Sequence, residues 1–299
     1  MKILLTGVNG QLGQQIANTC PKQVNLIKSS REILDLSSYK SCYEFVMEHK
    51  PDWIINSGAY TAVDKAENEK DLAYKVNSEA PKAFAEALNQ TGGKLLQLST
   101  DFVFGGEKST FYKTLDNPSP INYYGFSKMC GEINALSHKG NVVLRTSWVY
   151  SNVGKNFLKT ILTLNNKMVD SGKSLTIIAD QVGCPTSTSS LAFVCWEIIN
   201  KCSKLENYPS ILHWRNSGIT SWYDFAMNIT ELAFDQKLIQ KKANILPIST
   251  EEYQTDAARP RFSVLDLKST IDFLEIDNLY WKAELKKEIE LINKSIFTG

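Results

Sequence analysis

No run in these 299 residues approaches the roughly 18 consecutive apolar residues that a membrane-spanning helix requires. The opening MKILLTGVNG is apolar only from Ile3 to Leu5, too short for the hydrophobic region of a secretory signal. Neither sign of charge is in excess. The 33 Lys and Arg against 32 Asp and Glu leave a net charge of +1. Basic residues gather only as the pairs Lys241–Lys242 and Lys286–Lys287, which excludes the clustered footprint of a nucleic-acid binder. The six cysteines form no C-x-x-C pair and no repeated spacing, so neither a disulfide framework nor a zinc ribbon is expected. The three histidines, 49, 138 and 213, lack ligand spacing. There is no internal repeat, low-complexity tract or obvious linker. What is left is a cytoplasmic globular protein with free thiols, no membrane partner and no bound metal.

Against these absences, the first half alternates regularly. The short apolar runs KILLTG, VNLIKS, DWIINSGA, KLLQLST and NVVLRTS read as buried strands. Between them, helical periodicity covers Gly10–Cys20, Tyr39–His49, Asp71–Gln90 and Tyr124–Ser137. Strands alternating with helices imply βαβ units and a parallel sheet. Beyond Tyr150 the pattern is less regular. NFLKTILTL and LAFVCWEIINKC read as helices, SLTIIAD and ILHWRNS as strands, and Ser221 with Asp224 three residues on as a helix start. Trp281, Leu285, Ile289 and Ile292 repeat at helical spacing, so the last helix rests on a core by one face. The expected fold is α/β, a Rossmann-type doubly wound parallel sheet with a smaller C-terminal α/β lobe. Residues 1–150 form the dinucleotide-binding domain, with some later segments returning to it. Residues 151–299 are mainly the substrate-binding lobe.

The first strand runs into TGVNGQLG, which spaces Gly7, Gly10 and Gly13 three apart at the opening of a helix. There the backbone must turn tightly, approach a pyrophosphate and present free N–H groups. This predicts a dinucleotide cradle of Gly7, Asn9, Gly10, Gln11, Leu12 and Gly13. A site that prefers NAD carries an acid at the end of the second strand. This chain has Lys28, Ser29, Ser30 and Arg31 there, which favours the 2′-phosphate of NADPH, with NADH use possible. Asp35 and Leu36 follow where the adenine is expected.

The segment NPSPINYYGFSKMCGE sets two tyrosines before a lysine. On a helix, residues four apart nearly overlie, whereas residues five apart diverge by about 140°. Tyr124 therefore shares a face with Lys128 and Tyr123 does not. Pro118 and Pro120 put the helix start just downstream. A phenol is protonated near neutrality and can give its proton to a carbonyl oxygen as hydride reaches the carbon, while a nearby ammonium steadies the phenolate and lowers its pKa. Thr100, at the end of the strand LQLST beside Ser99, is placed to hold that oxygen. Asp101 is left to orient a sugar hydroxyl or to buttress the loop.

Together the glycine loop, LSTDFVFGG and YGFSKMCGE resemble the extended short-chain dehydrogenases, and more narrowly the dTDP-4-dehydrorhamnose reductase family. The resemblance continues through NSGAYTAVDKAE, VNSEAP, LRTSWVYS, NFLKTIL, DQVGCPT and RPRFSVLD, almost end to end. It implies NAD(P)H-dependent reduction of the 4-keto group of a nucleotide-linked 6-deoxyhexulose, with Thr100, Tyr124 and Lys128 as the catalytic trio. It also implies Ala59, Tyr60, Thr61 and Ser99 beside the cofactor. Asp101, Val103, Trp148, Asn156, Gln181 and Arg259 would border the nucleotide-sugar, with a base stacked on Trp148 and a phosphate on Arg259. Two departures stand out. Phe102 replaces the usual tyrosine but remains aromatic. Gln15 stands where some members use a glutamate for a Mg²⁺ site at a dimer contact, and a neutral amide is a poorer ligand for a hard cation. No metal is therefore expected, and the protein is a monomer or a homodimer. Alternative readings are a related sugar-nucleotide reductase or epimerase, or a non-catalytic NADP-binding regulatory subunit.

Overall fold

The computed structural model describes residues 1–297. Six parallel strands form the central sheet: β1 (Lys2–Thr6), β2 (Asn25–Ser29), β3 (Trp53–Asn56), β4 (Lys94–Thr100), β5 (Val142–Thr146) and, much later in the chain, β10 (Ile211–His213). Their order is β10-β5-β4-β3-β1-β2. Winding therefore reverses between β1 and β3, and a ligand crevice is expected at the carboxyl ends of the strands there.

The apolar runs of the sequence are explained by two buried faces. On one, Ile3, Leu5, Ile55, Leu96 and Leu144 pack against Ile16 of α1 (Gln11–Asn18) and Leu191, Val194 and Ile198 of α8 (Thr188–Cys202). On the other, Leu4, Ile54, Leu95 and Val143 meet Val46 of α2 (Tyr39–His49), Phe84 and Leu88 of α5 (Ala80–Thr91) and Ala135 of α6 (Tyr123–Ala135). Successive strand residues point to opposite faces, so each strand feeds both layers. The sheet core draws on the second half of the chain through α8, β10, Trp214 and Leu274 of α10 (Lys268–Leu274).

The helix expected over Asp71–Gln90 is three pieces. After the separate short helix α3 (Val63–Ala66) come α4 (Lys70–Tyr74), a π-turn at Lys75–Glu79, and α5 with Pro81 in its first turn. Pro81 brings no N–H to the ladder, and the wider turn takes up the mismatch. The helix expected over Tyr124–Ser137 begins one residue earlier, capped by Asn122, whose side chain accepts from the Gly125 N–H at 2.7 Å.

The remaining elements build a second core. They are β6 (Val149–Tyr150), α7 (Phe157–Ser171), β7 (Leu175–Ile178), β8 (Val182–Gly183), β9 (Thr186–Ser187), β11 (Thr220–Ser221), α9 (Trp222–Asp235), β12 (Ile245–Ile248) and α11 (Trp281–Phe297). Tyr150, Leu158, Ile161, Phe225, Ile229, Trp281, Leu285 and Ile289 fill that core. Ser221 caps α9 by accepting from the Asp224 N–H at 3.0 Å and donating to the Asp224 carboxylate at 2.6 Å, as the sequence pattern predicts. No helix among the described residues is long and apolar enough to cross a membrane.

Candidate active site

The carboxyl ends of β1, β3, β4 and β5 open into a cavity of about 870 Å³. Its floor is the turn after β1. Gly7 takes φ +67, and a methyl there would come within 2.7 Å of the Gly58 Cα. At Gly13 a methyl would sit 2.1 Å from the Gly7 carbonyl oxygen. Only glycine permits this contact, which seats α1 directly on the turn. Gly10 opens α1 with no side-chain cap, so the first-turn N–H groups stay free for an anion. Gly7, Asn9, Gly10, Gln11, Leu12 and Gly13 all line the cavity. Beyond β2, so do Ser30, Arg31, Asp35 and Leu36, whereas Lys28 is exposed and outside it. Ala59, Tyr60 and Thr61 form the wall after β3. These backbone cradles and the Arg31 cation fit a phosphorylated dinucleotide.

Opposite the glycine turn, Ser99, Thr100 and Asp101 from the end of β4 meet Tyr124 and Lys128 from one face of α6. Tyr123 points elsewhere, against Phe126 and under the Lys70 ammonium, and does not line the cavity. Phe102 lies edge-on to the Tyr124 ring, with centroids 5.7 Å apart. Thr100 donates to Asp101 Oδ1 and accepts from the Phe102 N–H, both at 3.1 Å. Lys128 is buried and donates to the Leu98 carbonyl at 2.6 Å. Beneath it, Glu132 takes Arg145 at 2.7 Å and the Ser99 hydroxyl at 2.5 Å.

Burial dominates the ionisation of this group. It pushes the Lys128 ammonium down to about 8, although the nearby Glu132 charge works the other way. It pushes the Tyr124 phenol up to about 12, with Thr100 pulling down and Asp101 adding to the rise. The net shift of the phenol is upward, not the lowering that the sequence suggests, because burial outweighs the other influences, and the phenol stays protonated near neutrality, as an acid requires. The Leu98 carbonyl takes one of the three Lys128 N–H groups. Asp101 is buried and is raised by burial to about 6, against hydrogen bonds that include those from Ser263 and Thr100.

The six residues expected to border the substrate separate into two groups. Asp101 and Trp148 line the cavity; Val103, Asn156, Gln181 and Arg259 do not. Val103 is fully buried with Phe104, Tyr112 and Leu265. Asn156 caps α7 and donates to Gln11 Oε1 at 2.7 Å. Gln181 is buried and donates to the Thr250 hydroxyl at 3.2 Å. Arg259 is held by Asp64, which accepts two guanidinium hydrogen bonds at 3.0 and 2.7 Å. Trp222 stacks on one face of Trp148 with centroids 3.5 Å apart, and Gly183 lies against the same ring, where an added methyl would come within 2.5 Å of Cε2. A base therefore does not stack on it in this arrangement.

Sequence reasoning missed Asn77. From the π-turn its side chain accepts from the Tyr60 N–H at 2.9 Å and donates to the Tyr60 carbonyl and to Ser127, both at 3.0 Å. It ties the cofactor wall to the helix of Tyr124. The only signal was its place in VNSEAP. Lys65, Glu69, Gly154 and Lys155 also line the cavity and were not anticipated.

Residues 1–293 match the family model described as RmlD substrate binding domain. The chain is 36% identical over 291 residues to a dTDP-4-dehydrorhamnose reductase of Aggregatibacter actinomycetemcomitans, covering 95% of this chain and 97% of the relative. Its structure resembles that of a dTDP-4-dehydrorhamnose reductase from Clostridium acetobutylicum, with TM-score 0.90, 36% identity and coverage of 98% and 100%. It also resembles the Bacillus anthracis dTDP-4-dehydrorhamnose reductase in complex with NADP, with TM-score 0.86, 34% identity and coverage of 97% and 99%. The chain belongs to this family.

Proposed function

We propose, from that membership, that the protein reduces the 4-keto group of dTDP-4-dehydro-L-rhamnose with NADPH, giving dTDP-L-rhamnose. The observation that carries the chemistry is the convergence of Thr100, Tyr124 and Lys128 on the cavity that the glycine turn floors. When bound, the reduced nicotinamide supplies a hydride. Tyr124 gives its phenolic proton to the 4-keto oxygen as the carbon is reduced, and solvent later restores it. Lys128 holds positive charge beside the phenolate. Thr100 turns its hydroxyl from Asp101 toward the same oxygen. Asp101, buried in the cavity wall, holds the Thr100 hydroxyl in place until the substrate arrives. Arg31 and Ser30 receive the 2′-phosphate, which accounts for the choice of NADPH, with NADH as a weaker substitute. The thiol of every cysteine is free, in keeping with work in the reducing cytoplasm.

The test is NADPH oxidation by the purified protein across dTDP-, GDP- and UDP-linked 4-keto sugars. Turnover is expected on dTDP-4-dehydro-L-rhamnose. A protein that binds NADPH but oxidises it with none of the panel refutes the assignment.

A further inference from the structure

Trp148 holds a backbone φ of +46, a left-handed conformation that a bulky side chain keeps only when its surroundings impose it. Three contacts impose it. Its carbonyl accepts from the Thr186 N–H at 3.1 Å, where β6 and β9 run side by side. Trp222 stacks on its ring with centroids 3.5 Å apart and planes within 7°. Gly183 approaches so closely that a methyl there would lie 2.5 Å from Cε2, 2.7 Å from Cζ2 and 2.8 Å from Nε1 of the same ring. Cε2 is nearer than either of its ring neighbours, so the glycine comes from above the plane and not from the edge. Trp222 already fills one face, which leaves Gly183 on the other. The pairing of β8 with β11 builds both jaws: Gly183 lies opposite Thr220, Val182 opposite Ser221, and Trp222 follows at once as the first residue of α9. Phe157 backs Trp222, with ring centroids 4.6 Å apart.

We propose that Trp222 and Gly183 clamp Trp148 so that it meets the nucleotide-sugar with the edge of its indole, which makes Trp222 a positioning residue for substrate recognition. This rests on the reductase reading of the cavity. A ring held by both faces cannot serve as a stacking platform for a base. It is a fixed wall whose position sets the space left for the sugar diphosphate.

The experiment compares full-length Trp222→Leu, Trp222→Phe and Gly183→Ala with the wild type. Trp222→Leu is expected to raise KM for the sugar nucleotide roughly three- to tenfold, the worth of one aromatic pair. KM for NADPH should stay within about twofold, because the clamp lies outside the glycine turn. Trp222→Phe, which keeps an aromatic face, should recover most of the loss. Gly183→Ala should raise the same KM, because its methyl must push the indole aside. A lower Tm with unchanged sugar-nucleotide KM in all three overturns the proposal and leaves Trp222 a packing residue. A second readout is independent of turnover. Two indoles stacked this closely give an exciton couplet in circular dichroism, expected in the wild type, lost in Trp222→Leu and altered by added dTDP. An active enzyme with no couplet overturns the clamp. A couplet that responds to dTDP in a protein that reduces no 4-keto sugar supports the clamp and rejects the reductase reading.

Discussion

Two adjacent tyrosines have different fates because a helix separates positions four and five apart. Tyr124 lines the cavity with Lys128, and Tyr123 packs on Phe126 outside it. Tyr124→Phe should therefore lower kcat by about 10²-fold or more, within the usual range for a positioned acid, while NADPH affinity measured by fluorescence titration barely moves. Tyr123→Phe should keep kcat within about twofold; equal losses in the two variants would reject the assignment. The pH dependence follows from Lys128, which burial pushes down to about 8. The charged form is the useful one, so kcat/KM should hold below pH 8 and fall as pH rises through it. The phenol, at about 12, stays protonated across that range. Lys128→Arg, charged at every accessible pH, should lose the alkaline limb; a limb that persists at pH 8 belongs to another group. The face shared by Tyr124 and Lys128 was legible in the sequence because it depends on one helix. The closed faces of Trp148 were not, because they depend on strand pairing between β8 and β11. Nor was the capture of Arg259 by Asp64, which joins residues far apart in the chain.

Among the elements, α2 matches the periodicity over Tyr39–His49 to its last residue, and in the structure the Ser38 cap and a left-handed Lys50 fix its ends. The interruption between α4 and α5 was hidden, because apolar periodicity runs through it. Its purpose in the structure is Asn77, which the wider turn aims at the Tyr60 backbone and at Ser127 of α6. π-turns of this kind gather at functional sites. Asn77→Ala removes partners from buried backbone and hydroxyl groups, at a cost of about 1–3 kcal/mol. Urea unfolding should show that loss. KM for NADPH should rise with it, since the Tyr60 wall is released. A variant destabilised to this extent with unchanged KM for NADPH would separate the π-turn from the cofactor site.

At the scale of the molecule, the alternation of strands and helices disclosed five of the six strands of the central sheet and their parallel sense. The sixth was visible as a strand in ILHWRNS, but its place beside β5 was not, because hydrophobic periodicity carries no information on which edge a late strand joins. That return has a measurable result. Residues 1–150 alone lack α8, β10 and Trp214, and so leave the face of Ile3, Leu5, Leu96 and Leu144 with α1 as its remaining helical cover. The fragment is expected to show no cooperative thermal transition by calorimetry, whereas the full chain does. A sharp transition in the fragment would show that the first half completes its own core.

The side chain of Gln11 stands where the two halves of the cavity meet. Its Oε1 accepts from Asn156, the cap of α7, and its Nε2 donates to the Lys155 carbonyl at 3.3 Å. The same residue opens α1 over the glycine turn. A dinucleotide settling on that turn is thereby coupled to the footing of α7. In kinetic terms, the connection favours ordered addition, with the dinucleotide first on and last off. NADP⁺ would then compete with NADPH, while the reduced sugar nucleotide would inhibit noncompetitively against it.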